Sequence, residues 1–441
     1  MPRVSASAVP GVYRPVVLEA MKKFLSPEFF RGQLSGCRLW LGWELAVAAV
    51  LLAWESGGSL AQRFVTARLV LRQWWPKKPL GGTYQGYIKA LVRWSPRLLE
   101  MVATHWRRVL PQVAGPYWRR EGQMAFAVDG SRVECPRTAA NEQTLGCAGR
   151  KKTGPQVFVT TLYHMGTGLP WAFRQGPGTD SERTHLREMI PALPAGSLVV
   201  ADAGFIGYEL LAALLAAGQH VLFRVGRNVT LLQDLGYVVV ERGTTVYLWP
   251  QAQQRHESPP LVLRQIVLET GRQKVYLVTD QLDEQVLSEE QAAVLYRLRW
   301  GVEVFYRSLK QTLEHRRMLS RAPAQAQCEV AWSLIGLWLL GLMSVSRLVS
   351  CGHDPLGLSV ALALRQVRLA LRQNRRSVAG DWLTKRLGRA VKDRYRRRRP
   401  KKARCWPHKK KERPPGTPKV LIATAEQRGL AQRLQSGSVA A

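Results

Sequence analysis

The sequence predicts an α/β protein with a helical segment in front of it and a basic segment behind it. Three observations carry this. Residues 1 to about 120 place apolar and basic residues at helical spacing. From 124 to 225 short apolar runs alternate with turn signals and helical stretches, and a long helical pattern returns after 288.

In the first segment the helical spacing is clearest over 60–75 and 87–109. Trp40, Trp43, Trp54, Trp74, Trp75, Trp94 and Trp106 fall here among arginines, with core packing the default for most and a nucleic-acid-facing role the alternative. Residues 124–128 form a short apolar run ending at Asp129-Gly130, which reads as a strand followed by a turn. Residues 156–164 alternate as a second strand and 169–173 supply a third. Residues 180–193 read as a helix capped by Asp180 or Ser181. A strand at 197–200 ends at Ala201-Asp202-Ala203-Gly204, and a helix at 208–217 and a strand at 220–225 follow. Three leading strands predict an antiparallel meander, and the later alternation predicts parallel crossovers.

Residues 229–280 are richer in β-branched side chains, with runs at 237–240, 245–249, 261–268 and 274–279, and read as a strand-rich insertion. Residues 288–313 read as one long helix, capped by Ser288 and carrying Glu289 and Glu290 in its first turn. Residues 330–346 carry no charge, at the short edge of the ~20 residues a membrane span needs. Ser333, Gly336, Gly341 and Ser344 within it favour a buried core helix. The expected units are therefore 1–120, 121–228, 229–287, 288–350 and 351–441.

The charge is lopsided: 65 basic residues against 31 acidic ones, a net +34. Self-repulsion on that scale calls for a polyanion, nucleic acid first and an acidic membrane surface as its rival. The excess is densest between Thr384 and Arg413, around Arg396-Arg397-Arg398-Arg399 and Lys409-Lys410-Lys411, and prolines interrupt it, so this reads as a flexible phosphate-binding tail. The six cysteines form no Cys-x-x-Cys pair and suggest neither a zinc module nor a disulfide scaffold; Cys405 and His408 alone do not make a metal site. No basic-then-apolar leader opens the chain, and a reducing cytoplasm is the expected compartment.

Two aspartates stand where catalytic carboxylates belong. Asp129 and Asp202 each follow a strand, and carboxylates at neighbouring strand ends can share a divalent cation. Either alone is weak evidence, because Asp near Gly is commonly a turn residue. The helix at 288–313 is more specific. On a continuous helix Tyr296, Arg299, Glu303 and Lys310 share one face, which a simple Arg299–Glu303 i,i+4 pair does not account for.

Tyr-x2-Arg-x3-Glu-x6-Lys is the signature of the DDE transposases of insertion-sequence family four, which this chain resembles. Asp129-Gly130-Ser131 is similar to that family's first Asp block, Ala201-Asp202-Ala203-Gly204-Phe205 to its second, and Leu222-Phe223-Arg224 to the strand after it. Trp300 after Arg299 also matches, whereas Thr279-Asp280 departs from the usual Thr-Asn. The resemblance covers about 120–345. It implies an RNase H-like catalytic core with a β-rich insertion, flanked by a helical N-terminal DNA-binding domain and a basic C-terminal tail. It implies that Asp129, Asp202 and Glu303 hold two Mg²⁺ ions, with Mn²⁺ able to substitute, which activate a water or a DNA 3′-hydroxyl and stabilise the leaving oxygen. Tyr296, Arg299 and Lys310, with Arg224 a further candidate, would grip DNA phosphates. The implied partners are double-stranded DNA, as terminal inverted repeats and target, and a second copy of the chain in a synaptic dimer. The implied setting is the nucleoid of a prokaryotic cytoplasm, with no membrane partner. Trp249 is a candidate base-stacking platform, with core packing its default, and Trp300 reads as a core anchor. The competing readings are a DNA-binding derivative without catalysis, a nuclease that never rejoins DNA, and a basic RNA-associated protein.

Overall fold

The computed structural model describes residues 14–30, 39–148, 154–270, 273–377, 381–393 and 415–439. A two-residue strand, β1 (Arg14–Pro15), leads into four helices: α1 (Val16–Lys22), α2 (Gly42–Trp54), α3 (Leu60–Trp74) and α4 (Tyr84–Ala114). A capping box starts α3: Ser59 Oγ accepts from the Gln62 backbone N–H, and Gln62 Oε1 accepts from the Ser59 N–H at 2.8 Å. In α4 an apolar stripe through Tyr87, Leu91, Leu98, Val102, Trp106 and Leu110 is buried, as its near-3.6 period requires.

The chain then runs β2 (Ala125–Glu134), α5 (Ala139–Leu145), β3 (Gln156–His164), β4 (Leu169–Pro177), α6 (Glu182–Met189), β5 (Leu198–Ala201), α7 (Tyr208–Ala216) and β6 (His220–Val225). It continues with β7 (Thr230–Gln233), β8 (Thr245–Leu248), α8 (Gln251–Arg255), β9 (Leu261–Thr270) and β10 (Gln273–Thr279). Next come α9 (Glu289–Leu298), α10 (Gly301–Arg307), a π turn at Ser308–Thr312, α11 (Pro323–Ser350), α12 (Val360–Arg372), β11 (Arg376–Ser377) and α13 (Asp381–Leu387). Last are β12 (Lys419–Ile422) and α14 (Ala425–Val439).

Among the described residues ten strands form one sheet in the order β12-β7-β8-β9-β10-β6-β5-β2-β3-β4. β2, β3 and β4 are an antiparallel meander, while β2, β5 and β6 run parallel, joined through α6 and α7. The strands of 229–280 are not a separate module: β10 pairs antiparallel with β6 and carries the core sheet onward. Two short elements, α5 and β7, have no strong period and escape sequence reading. Residues 237–240 form no strand; Val239 is 94% exposed, so nothing there rewards pairing. The basic run 394–414 lies outside the described residues, as do Cys405 and His408. It is not a terminal tail, because the chain returns beyond it as β12, parallel to β7.

The apolar 330–346 run lies inside α11, which is long and apolar enough to cross a membrane; 94% of its apolar window is buried within the protein. The N-terminal helices cover it. Trp54 Nε1 donates to the Gly336 carbonyl at 2.9 Å, Trp332 Nε1 donates to Ser95 Oγ at 2.7 Å, and Trp106 meets Trp338 edge-on at 5.2 Å. Much of the tryptophan-rich first segment thus shares a core with α11.

Candidate active site

Register brings the first two carboxylates together. β2 and β5 are parallel with Ala127 opposite Val200, so two residues further Asp129 comes level with Asp202. β6 lies on the other side of β5, with Phe223 opposite Ala201, which brings Arg224 level with Asp202 as well. Asp129 does not close its strand, contrary to the sequence reading. β2 runs on to Glu134, and Asp129 pairs with Thr161 of β3. Gly130 is tolerated inside the strand because its Cβ space is already taken: an added methyl would lie 2.6 Å from the Phe158 ring. Asp202 stands just past β5, where its Oδ1 accepts from the Gly204 N–H at 2.9 Å.

α10 delivers the third carboxylate. The Tyr306 hydroxyl lies 3.0 Å from the carbonyls of Asp129 and Val159 and 2.9 Å from Thr161 Oγ1, which ties the helix to β2 and β3. Glu303, one turn earlier, is held at the same edge. The long helix expected over 288–313 is broken. α9 ends at Leu298, i→i−3 bonds take over at Trp300 and Val302, and α10 starts at Gly301. Gly301 is the point of closest approach: a Cβ there would stand 2.7 Å from the Tyr163 ring.

Tyr296, Arg299 and Glu303 stay in contact across the break. Arg299 is 4% exposed; its Nη2 is 3.9 Å from Glu303 Oε1, and its guanidinium lies 5.5 Å from both the Tyr296 and Trp300 rings. Among the described residues the buried Tyr296 hydroxyl and Arg299 Nε have no hydrogen-bond partner. Lys310, in the π turn, donates to Ser131 Oγ of β2 at 2.8 Å, within reach of the Asp129 charge. Burial lowers its ammonium below the usual range.

Electrostatics couple the three carboxylates. Burial pushes the Asp129 carboxyl up to about 7; Asp202 and Glu303 push the same way, and the Gly130 N–H and Arg299 oppose them. Among the described residues no three acidic, histidine or cysteine side chains stand close enough, as placed, to grip one ion together. Glu303 leans toward Arg299 instead. The donor set still suits a hard divalent cation, which commonly takes one or two carboxylates and completes its shell with phosphate and water. The space a Cβ would fill at Gly204 is bordered by carboxylate oxygens of Asp202 and Glu182.

Residues 120–339 match the family model described as the transposase DDE domain. Over that half of its length the chain belongs to the transposase DDE domain family. It is 26% identical over 237 residues to the transposase InsG of insertion sequence element IS4 from Escherichia coli K12, a match covering 51% of this chain and 52% of that protein. This chain thus spans about half the length of the curated relative it matches. The family-four resemblance of the signature agrees with that relative. A piggyBac transposase synaptic complex with hairpin DNA aligns over 87% of this chain and 86% of that one, with 12% identity and a TM-score of 0.42.

Two tryptophans differ in their placement. Trp249 is buried and its Nε1 donates to the Ser258 carbonyl at 2.7 Å, a core residue. Trp300 is not a core anchor: it is 56% exposed. Sequence reasoning also missed Glu182. Burial, then the neighbouring Asp202 charge, raises its carboxyl above the usual range, with Arg132 and Arg183 opposing. The run Asp180-Ser181-Glu182 looked only like a helix start, and no local signal distinguishes an acid that meets a distant strand end.

Proposed function

We propose that this chain is a metal-dependent DNA transposase that cuts insertion-sequence ends and joins them to target DNA. The observation that carries this is the level placement of Asp129 and Asp202 on adjacent parallel strands, with Glu303 close enough to oppose the ionisation of Asp129. The meander β2-β3-β4, the parallel pair β5-β6 and the helices α6 and α7 support an RNase H-like core. Asp129, Asp202 and Glu303 are the residues that would hold Mg²⁺ or Mn²⁺. The bound ions supply an activated oxygen nucleophile and charge stabilisation at the leaving oxygen.

The remaining chemistry belongs to the chain's own side chains. Arg299, against Glu303, and Tyr296 beneath it hold buried polar atoms with no protein partner, and movement of this edge on DNA entry would offer them a phosphate. Lys310, anchored on Ser131, presents a cation on the Asp129 strand. Arg224, level with Asp202, extends this basic lining along β6. The exposed Trp300 ring gives the same edge an apolar face against which a base or sugar can pack. The partners under this reading are double-stranded terminal repeats, target DNA and a second copy of the chain, acting at the nucleoid of a prokaryotic cytoplasm.

The test is Glu303→Ala in an assay with paired terminal repeats and Mg²⁺. Cleavage and strand transfer should both vanish while DNA retention in a gel shift persists. Undiminished strand transfer by this variant would refute the mechanism.

A further inference from the structure

His185 fixes the start of α6. Its Nδ1 is 2.9 Å from Thr160 Oγ1, its Nε2 is 3.1 Å from Asp180 Oδ2, and its ring stacks on Phe158 at 5.5 Å. Glu182 is thereby held over two glycines. A Cβ on Gly130 would lie 2.9 Å from Glu182 Oε2. A Cβ on Gly204 would lie 2.9 Å from Glu182 Oε1 and 3.1 Å from Asp202 Oδ1. Successive residues of a strand face opposite sides of the sheet, so Gly130 presents the face that Asp129 does not. Glu182 reaches the strand ends from that second face and meets Asp202 there.

Two arginines flank Glu182, yet among the described residues neither forms an ion pair with it. Arg183 Nε donates to the Gly204 carbonyl and Arg132 Nε to the Gly178 carbonyl, both at 2.8 Å, and Arg132 lies 4.3 Å over the Phe158 ring. Two carboxylates sharing a half-buried point repel each other, which a proton on one of them or a cation between them relieves.

We infer that Glu182 is a fourth carboxylate of the metal site, holding a divalent cation together with Asp202 from the sheet face opposite Asp129. This rests on the metal-dependent reading above. Gly130 and Gly204 are then the positions whose missing side chains admit it.

The experiment uses the full chain and Mn²⁺ alone, with affinity read by calorimetry or spin resonance and melting temperature read in EDTA. Glu182→Gln should weaken Mn²⁺ binding roughly tenfold or more. Its melting temperature in EDTA should hold or rise, because one of two neighbouring like charges is gone. Gly204→Ala keeps every carboxylate but puts a methyl where Glu182 and Asp202 meet, and should weaken Mn²⁺ binding in the same direction. A purely structural role predicts the reverse, a lower melting temperature in EDTA with Mn²⁺ affinity intact, and that result overturns the inference. If Asp202→Asn abolishes Mn²⁺ binding while Glu182→Gln binds like the native chain, only the fourth carboxylate is refuted. If the native chain binds no Mn²⁺, or Asp202→Asn binds as it does, the three-carboxylate reading fails and this inference fails with it.

Discussion

The carboxylate edge of the sheet and the helical layer around α11 treat buried polar groups in opposite ways. At the edge, acids crowd together, and burial pushes Asp129 up to about 7. In the helical layer, His315 is matched instead of opposed. Arg63 Nη1 is 3.1 Å from its Nε2, and Ser333 Oγ is 2.7 Å from its Nδ1. Burial, with Arg63 and Arg368 nearby, lowers its pKa to about 3, so it stays neutral. The layer satisfies its buried groups, whereas the edge holds acids whose burial and mutual repulsion the Gly130 N–H and Arg299 offset only in part. Such a division predicts that substitutions at the edge cost activity and those in the layer cost stability.

The largest effect expected at the edge is that of Asp202→Asn. Metal-dependent cleavage should fall by about three orders of magnitude or more, equivalent to ~4 kcal/mol of barrier. Its melting temperature in EDTA should hold or rise, and a large drop would break the comparison. Trp338→Ala probes the layer: removing a buried ring that packs on Trp106 should cost about 3–5 kcal/mol in a denaturant titration. Mn²⁺ affinity of the folded fraction should not change.

Opposite pH responses sharpen the contrast further. Folded Asp129 keeps its proton up to about 7, whereas the unfolded chain releases it near 3.9. Between those values the folded state binds more protons, so this group's contribution to stability falls as pH rises. Asp129→Asn should remove that fall, and melts in EDTA from pH 4 to pH 8 should show a gain over the native chain that grows toward pH 8. His315 has the reverse sign. The unfolded imidazole takes a proton near 6.5 and the folded one only near 3, so stability is lost as pH falls through that window. His315→Gln should cost about 1 kcal/mol at neutral pH through weakened hydrogen bonds and flatten the acid-side loss. An unchanged acid slope would assign the loss to other groups, the similarly depressed His164 among them.

Legibility followed locality. β3 and β6 have the limits that their alternation and bounding turns indicate, because there the local pattern and the sheet agree. The start of α9 was readable too: Ser288 and Gln291 form the capping box at its N-terminus. The break at Arg299–Trp300 was not; it lies beside the close approach of Gly301 to Tyr163, far away in the chain. Nor was the exposure of Trp300, beside that break, legible in the local pattern. The strands of 229–280 were mostly visible one by one, but their joining to β6 through β10 was not.

What the sequence determined alone is therefore the α/β character and the types and spacing of the signature residues. These depend on residues a few positions apart, where periodicity and capping act. Tertiary structure alone decided that Asp129 stands level with Asp202, that Glu303 leans on Arg299, and that Glu182 arrives from the opposite face. Those placements come from strand register and from helices docking across the sheet. Their free energy lies in burying surfaces contributed by segments distant in sequence, which no local pattern encodes.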